Sequence, residues 1–68
     1  MKNRIDYWRV RLGMTYRHIA ELSDLSAQYV SMLAKGQRGN PCAATMRKIS
    51  MALGKEVGQV FLIGEKHA

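Results

Sequence analysis

Apolar residues recur along this chain three and four positions apart, the spacing of a helix that buries one face, and nowhere in the sustained alternation of a half-buried strand. Ile5, Trp8 and Leu12 form the first such row, and Gly13 comes next as a C-terminal stop. Thr15 is placed to cap a second helix through its hydroxyl, with Ile19, Ala20 and Leu22 on the inner face and an end near Ser23. Ser26 is another good N-cap. It precedes a segment from Ala27 to Ala34 that turns Val30 and Leu33 inward and Gln28, Ser31, Met32 and Lys35 outward. Pro41 opens a fourth helix, with Met46, Ile49 and Leu53 on one face and Gly54 at its end, while Met51 falls elsewhere on the same helix. Val57, Val60 and Phe61 make a brief fifth.

The fold class implied is all-α, five short helices, in a single domain over residues 1–68, because 68 residues leave no room for a second core. No internal repeat, low-complexity tract or linker divides it.

Charge changes the picture. Eleven Lys and Arg oppose five Asp and Glu, a formal net charge of +6 on a very small surface, and a polyanion is the partner that such a surface favours. Other chemistry is thinly represented. The one cysteine, Cys42, and two distant histidines, His18 and His67, make no ligand set for a metal. No Ser, His and acid grouping stands in a plausible order and no nucleotide-binding glycine loop comes after a strand, so neither an enzyme nor a cofactor is expected. No stretch approaches the roughly 20 apolar residues of a membrane span. Arg9, Arg11 and Arg17 interrupt the segment after the basic N-terminus, so no signal-peptide centre can be drawn and the expected location is cytoplasmic.

The informative block is 15–35 and the glycine after it: two short capped helices, a tight Ser23-Asp24-Leu25 connection, then a basic Gly-containing loop. That is helix-turn-helix architecture. A short helix fits a major groove of about 12 Å while the helix before it crosses the backbone. In the loop, Lys35 and Arg38 stand beside Gly36 and Gly39, so cations and exposed amides are expected to converge on phosphates, and Gly36 is expected to end its helix in a left-handed conformation.

Arg9 through Met14-Thr15, Ile19-Ala20, Leu25-Ser26, Val30-Ser31, Gly36, Asn40-Pro41, Lys48-Ile49 and Ala52-Leu53-Gly54 together resemble the Cro/repressor-like, XRE-type helix-turn-helix family, over about Ile5 to Phe61. The resemblance implies a lambda-repressor-like domain that binds double-stranded DNA through Tyr16, Arg17, Ser26, Ala27, Gln28, Tyr29, Ser31, Met32, Lys35, Gln37, Arg38 and Asn40. Gln28 is the best reader among them, since a glutamine pairs bidentately with adenine, whereas Ala27 and Met32 offer apolar contact such as a thymine methyl.

Two positions depart from the family pattern. Tyr16 stands where glutamine is usual, and its hydroxyl either reaches a phosphate or covers the edge of the core. Ala34 replaces the glutamate that usually pairs with the arginine matching Arg9, which leaves Arg9 to find Glu21 or a backbone carbonyl, as a structural arginine before a DNA contact. Cys42 falls where a serine-like cap is usual and reads as a small residue at a helix start.

The end of the chain is unusually apolar. Val60, Phe61, Leu62 and Ile63 exceed what one small core is expected to bury, and a two-fold contact between copies is the favoured use for them, the other being that the segment folds back onto Trp8 and Ile5. The function expected is a transcriptional regulator, a repressor before an activator, acting as a homodimer on a pseudo-palindromic operator, with a regulatory protein as a further candidate partner. The alternative is a protein-interaction module, an antitoxin or adaptor docking through Phe61-Leu62-Ile63, with DNA binding secondary.

Overall fold

The structure is a computed structural model that describes residues 3–61, and these form five helices and no strand. They are α1 (Ile5–Arg11), α2 (Tyr16–Ser23), α3 (Ala27–Ala34), α4 (Ala43–Leu53) and α5 (Val57–Val60). Their single core is built from Ile5, Ile19, Ala20, Val30, Leu33, Ile49, Leu53, Val60 and Phe61, with Trp8, Met14, Leu25 and Met46 packed around it. The expected start and stop signals work. Thr15 Oγ1 accepts from the His18 amide at 3.0 Å, Ser26 Oγ accepts from the Tyr29 amide at 3.0 Å, and Gly54 closes α4 at φ 69°.

Four expectations about the core are corrected. Leu12 lies one residue past the end of α1 and is 45% exposed; the chain turns there, and Met14 packs on the core in its place. Leu22 is 57% exposed, because the inner line of α2 runs through Ile19, Ala20 and Ser23. Ser23 is tolerated inside since its hydroxyl donates to the Ile19 carbonyl at 2.6 Å. Pro41 does not open α4. It is buried one residue ahead of the N-cap, Cys42, whose extended backbone precedes Ala43.

The fourth correction concerns the C-terminal end. Phe61 is not helical but extended, pairing with Asn3 in an isolated antiparallel bridge, and the Arg4 amide donates to the Val60 carbonyl at 2.6 Å. Trp8 Nε1 donates to the Gln59 carbonyl at 2.9 Å, so the first and last described segments are stitched together. Val60 at 0% and Phe61 at 1% exposure therefore belong to the chain's own core and are not available to a second copy or a docking protein. Leu62, Ile63 and His67 lie outside the described residues.

Candidate nucleic-acid interface

The connection between α2 and α3 is made by Asp24 in the left-handed region, φ 60° and ψ 40°, where a short polar side chain is among the few that fit without glycine. The Leu25 amide then donates to the Ala20 carbonyl at 3.0 Å while the Leu25 side chain packs on the core, which fixes the angle at which α3 leaves the turn. At the far end of α3, Asn3 Nδ2 donates to the Leu33 carbonyl at 2.9 Å, and Asn3 Oδ1 accepts from the Ile5 amide at 3.1 Å. One side chain thus caps α1 and pins the last turn of α3. Nothing in the sequence marks that contact, because it joins positions thirty residues apart.

Val30 and Leu33 anchor the inner face of α3, leaving Gln28 exposed on the other side. Ser26, Gln28, Tyr29, Met32 and Arg38 line one open concavity there, and the Arg38 guanidinium lies 5.3 Å from the centre of the Tyr29 ring. Five of the residues expected at DNA are therefore brought together. Ser31 is half-buried on the same helix, whereas Ala27, expected to face the groove, packs partly against the core.

The loop after α3 differs from expectation in its amides. Those of Lys35, Gly36, Gln37 and Arg38 donate to the carbonyls of Ser31, Leu33, Met32 and Met32 at 3.0, 3.1, 2.8 and 3.2 Å. They satisfy the orphan acceptors at the helix end and are not left over for a phosphate. Gly36 is left-handed, at φ 76°, as expected of the helix stop. Asn40 is left-handed too, at φ 52°. Lys35, Gln37, Arg38 and Asn40 all have exposed side chains, so the loop offers cations and amides from these side chains, while its backbone amides at 35–38 are taken.

Tyr16 and Arg9 are bound into one cluster with Asp6. The Tyr16 hydroxyl donates to Asp6 Oδ1 at 2.7 Å, Arg9 Nε donates to the same oxygen at 2.9 Å, and the Arg9 guanidinium rests 4.4 Å from the Tyr16 ring centre. Arg9 also donates to the Met14 carbonyl at 3.3 Å. The backbone partner expected for Arg9 is present, but its carboxylate is Asp6 and not Glu21, which instead stands 3.7 Å from Arg17 in a solvated pair. Asp6 is placed three residues before Arg9 on one helix, a spacing that could have pointed to it. Of the two roles open to Tyr16, the second holds: the ring is half-buried against the core, while the hydroxyl donates to Asp6 and is not free for a phosphate. Burial pushes the Asp6 carboxyl up, but hydrogen bonds from Tyr16 and Arg9 and the nearby charges of Arg9 and Lys35 outweigh it and hold the group below its ordinary value. Burial, then the bond to Asp6, raises the Tyr16 phenol.

Cys42 is exposed at the N-cap of α4, with Sγ 3.3 Å from the Thr45 hydroxyl, a contact that lowers its pKa. Among the described residues no three His, Cys, Asp or Glu side chains gather to hold a metal, and no helix is long and apolar enough to cross a membrane.

A helix-turn-helix family profile matches residues 5–60, and the chain belongs to that XRE-type family of DNA-binding transcription regulators. Among solved structures it is similar to the restriction-modification controller protein C.AhdI from Aeromonas hydrophila. The two are 31% identical with a TM-score of 0.79, over 85% of this chain and 86% of that one. No curated protein sequence matches significantly.

Proposed function

We propose that this chain is a repressor, acting as one domain per copy and as a homodimer, that lays α3 in the major groove of each half of a pseudo-palindromic operator. The observation that carries the reading is the concavity on α3, where exposed Gln28 lies beside Met32 and Arg38 on a helix whose opposite face is locked into the core. Gln28 is the residue to read adenine, with Met32 for a thymine methyl. Arg17, Lys35, Gln37 and Asn40 are exposed around this face and suit phosphate contact.

The dimer rests on the arithmetic of recognition. One short helix reads only a few base pairs, too little against genomic competitors, and two copies about 34 Å apart along the duplex double the readout. With Val60 and Phe61 inside the core, the apolar residues left for the contact include Met51, 79% exposed on α4. The likeness to a restriction-modification controller supports placing the regulated genes in a system of that kind.

Selection of bound fragments from random DNA tests the reading. A two-fold symmetric site bound by two chains is expected, and Gln28→Ala should relax preference at one base pair of each half with a loss of roughly 1–3 kcal/mol. Absence of any enriched sequence, or one chain saturating its best site, would count against it.

A further inference from the structure

Arg38 lies outside α3 by sequence, yet its charged end is placed on the groove-facing side of that helix. Its amide donates to the Met32 carbonyl at 3.2 Å, which fixes the backbone just beyond the helix end. From there the side chain folds back, so that the guanidinium lies 5.3 Å from the Tyr29 ring centre, in the same concavity as Gln28, Met32 and Ser26. Tyr29 is itself half-buried and packed against the core, so the surface on which the guanidinium rests is held by the fold. Among the described residues no carboxylate comes within ion-pair distance of Arg38. A ring face attracts the cation through its quadrupole but satisfies few of its five N–H donors, which stay available in a planar fork.

We infer that Arg38 reads a guanine edge next to the base pair read by Gln28, and that Tyr29 is the residue that positions it. A phosphate accepts a cation from many directions and needs no brace. The O6 and N7 acceptors of guanine demand a planar donor pair in a set position, which a guanidinium stacked on a fixed ring supplies. Lys35 makes the contrast: its side chain is exposed, none of the cation–ring contacts among the described residues involves its ammonium, and it keeps the phosphate role. The recognition surface therefore has two polar readers, one from the helix and one from the loop, with the apolar Met32 beside them. Each half-site should hold a guanine within a few base pairs of the adenine that faces Gln28.

This inference rests on the reading of α3 as the helix in the major groove, and the test separates the two. The operator is first defined with the wild-type chain by selection from random DNA. Arg38→Lys, Tyr29→Phe and Tyr29→Leu are then compared on a half-site randomised at each position, with affinity measured across a salt series. Arg38→Lys should lose the guanine preference at one position and weaken operator binding about 5- to 100-fold, with the salt slope unchanged because the charge remains. Tyr29→Phe keeps the ring and should keep that preference. Tyr29→Leu keeps apolar bulk without the π face and should lose it, with helical content retained by circular dichroism. Wild-type preference in Arg38→Lys, or a uniform loss on operator and random DNA in Arg38→Ala with a salt slope lower by about one unit, would make Arg38 a phosphate contact and overturn the inference. Identical behaviour of the Phe and Leu variants would remove Tyr29 from any positioning role. Failure of the wild-type chain to enrich any sequence would instead overturn the groove reading beneath both.

Discussion

Arginines lie over tyrosine rings at several places in this small domain, Arg4 and Arg11 over Tyr7 among them, and two of the pairs stand in contrast: Arg9 on Tyr16 at 4.4 Å and Arg38 on Tyr29 at 5.3 Å. The first pair is closed. Asp6 accepts from both members, Arg9 gives a further hydrogen bond to the Met14 carbonyl, and the three side chains tie α1 to the start of α2. The second pair has no such acceptor, and it faces an open concavity. The same two residue types thus make a lock in one place and leave an open guanidinium, the proposed reader, in the other, and the difference is one carboxylate. An arginine satisfied by its own chain has little left to give to DNA; one held by a ring alone keeps its donors.

The largest expected effect comes from giving the open pair the carboxylate that the closed pair has. Met32 lies one turn after Tyr29 on α3 and lines the same concavity as Arg38. In Met32→Glu the new carboxylate should capture Arg38 and face the phosphates of the duplex. Operator affinity should fall on the order of 100-fold or more, since like-charge juxtaposition in an interface costs several kcal/mol. Stability should fall by only about 1 kcal/mol, the ordinary cost of a point substitution, since Met32 is half-buried at the edge of an open concavity. Titration of the operator together with thermal unfolding checks both halves, and affinity within a few-fold of wild type would place the concavity outside the interface.

Opening the closed pair should act on the fold and not on base preference. Asp6→Ala leaves Arg9 and Tyr16 without their shared acceptor. Hydrogen bonds to charged groups are worth about 1.5–3 kcal/mol, but the Asp6 and Arg9 side chains are 43% and 25% exposed, so solvent screening reduces the expected loss to about 1 kcal/mol. In a domain of this size that is a fall in Tm of roughly 4–8 °C, with the selected operator unchanged. Glu21→Ala, which removes only the loose Arg17 pair, is the control; an equal Tm for the two variants would deny the cluster any structural weight.

Much of the fold is legible in the sequence, for local reasons. Thr15, Ser26, Gly36 and Gly54 mark helix ends because their side chains, or the lack of one, suit the backbone there, and all four do so in the structure. Gln28 and Met32 are legible as outward-facing residues because Val30 and Leu33 fix which way α3 turns, and Arg38 as an exposed residue of the loop that comes after it. Non-local decisions are not legible. Leu22 loses its inner place to Ser23 through the phase of α2 against α4, and Phe61 leaves the last helix to pair with Asn3 at the other end of the chain. The amides of 35–38 look free only because the carbonyls of α3 that accept from them are invisible in a linear reading. Asp6 is masked because the family pattern points to position 34, where alanine stands, and draws attention to Glu21 as the substitute, although the spacing of Asp6 from Arg9 is in plain view.

The smallest expected effect is a pH dependence that sharpens the contrast between the two arginines. Burial raises the Asp6 pKa, but the bonds from Tyr16 and Arg9 and the charges of Arg9 and Lys35 lower it by more, so that in the folded chain it lies below its ordinary value. A group whose pKa is depressed on folding stabilises the fold fully above its unfolded pKa, and this contribution is lost as pH falls through the folded pKa. The window is therefore acidic, starting at about pH 4, the value of an unperturbed aspartate, and running downward. Wild type should exceed Asp6→Asn in stability by less than about 1 kcal/mol at neutral pH, given the exposure of the pair, and the gap should shrink as the pH is taken below about 4. Arg38→Gln should show no such convergence, since no carboxylate among the described residues pairs with Arg38. Urea unfolding of the three chains from neutral pH down to about pH 3 makes the comparison, because that range spans the titration of an ordinary aspartate. A gap for Asp6→Asn that stays constant through that range would mean that Asp6 acts through its shape and its neutral hydrogen bonds, and that its charge is not what closes the Arg9–Tyr16 pair.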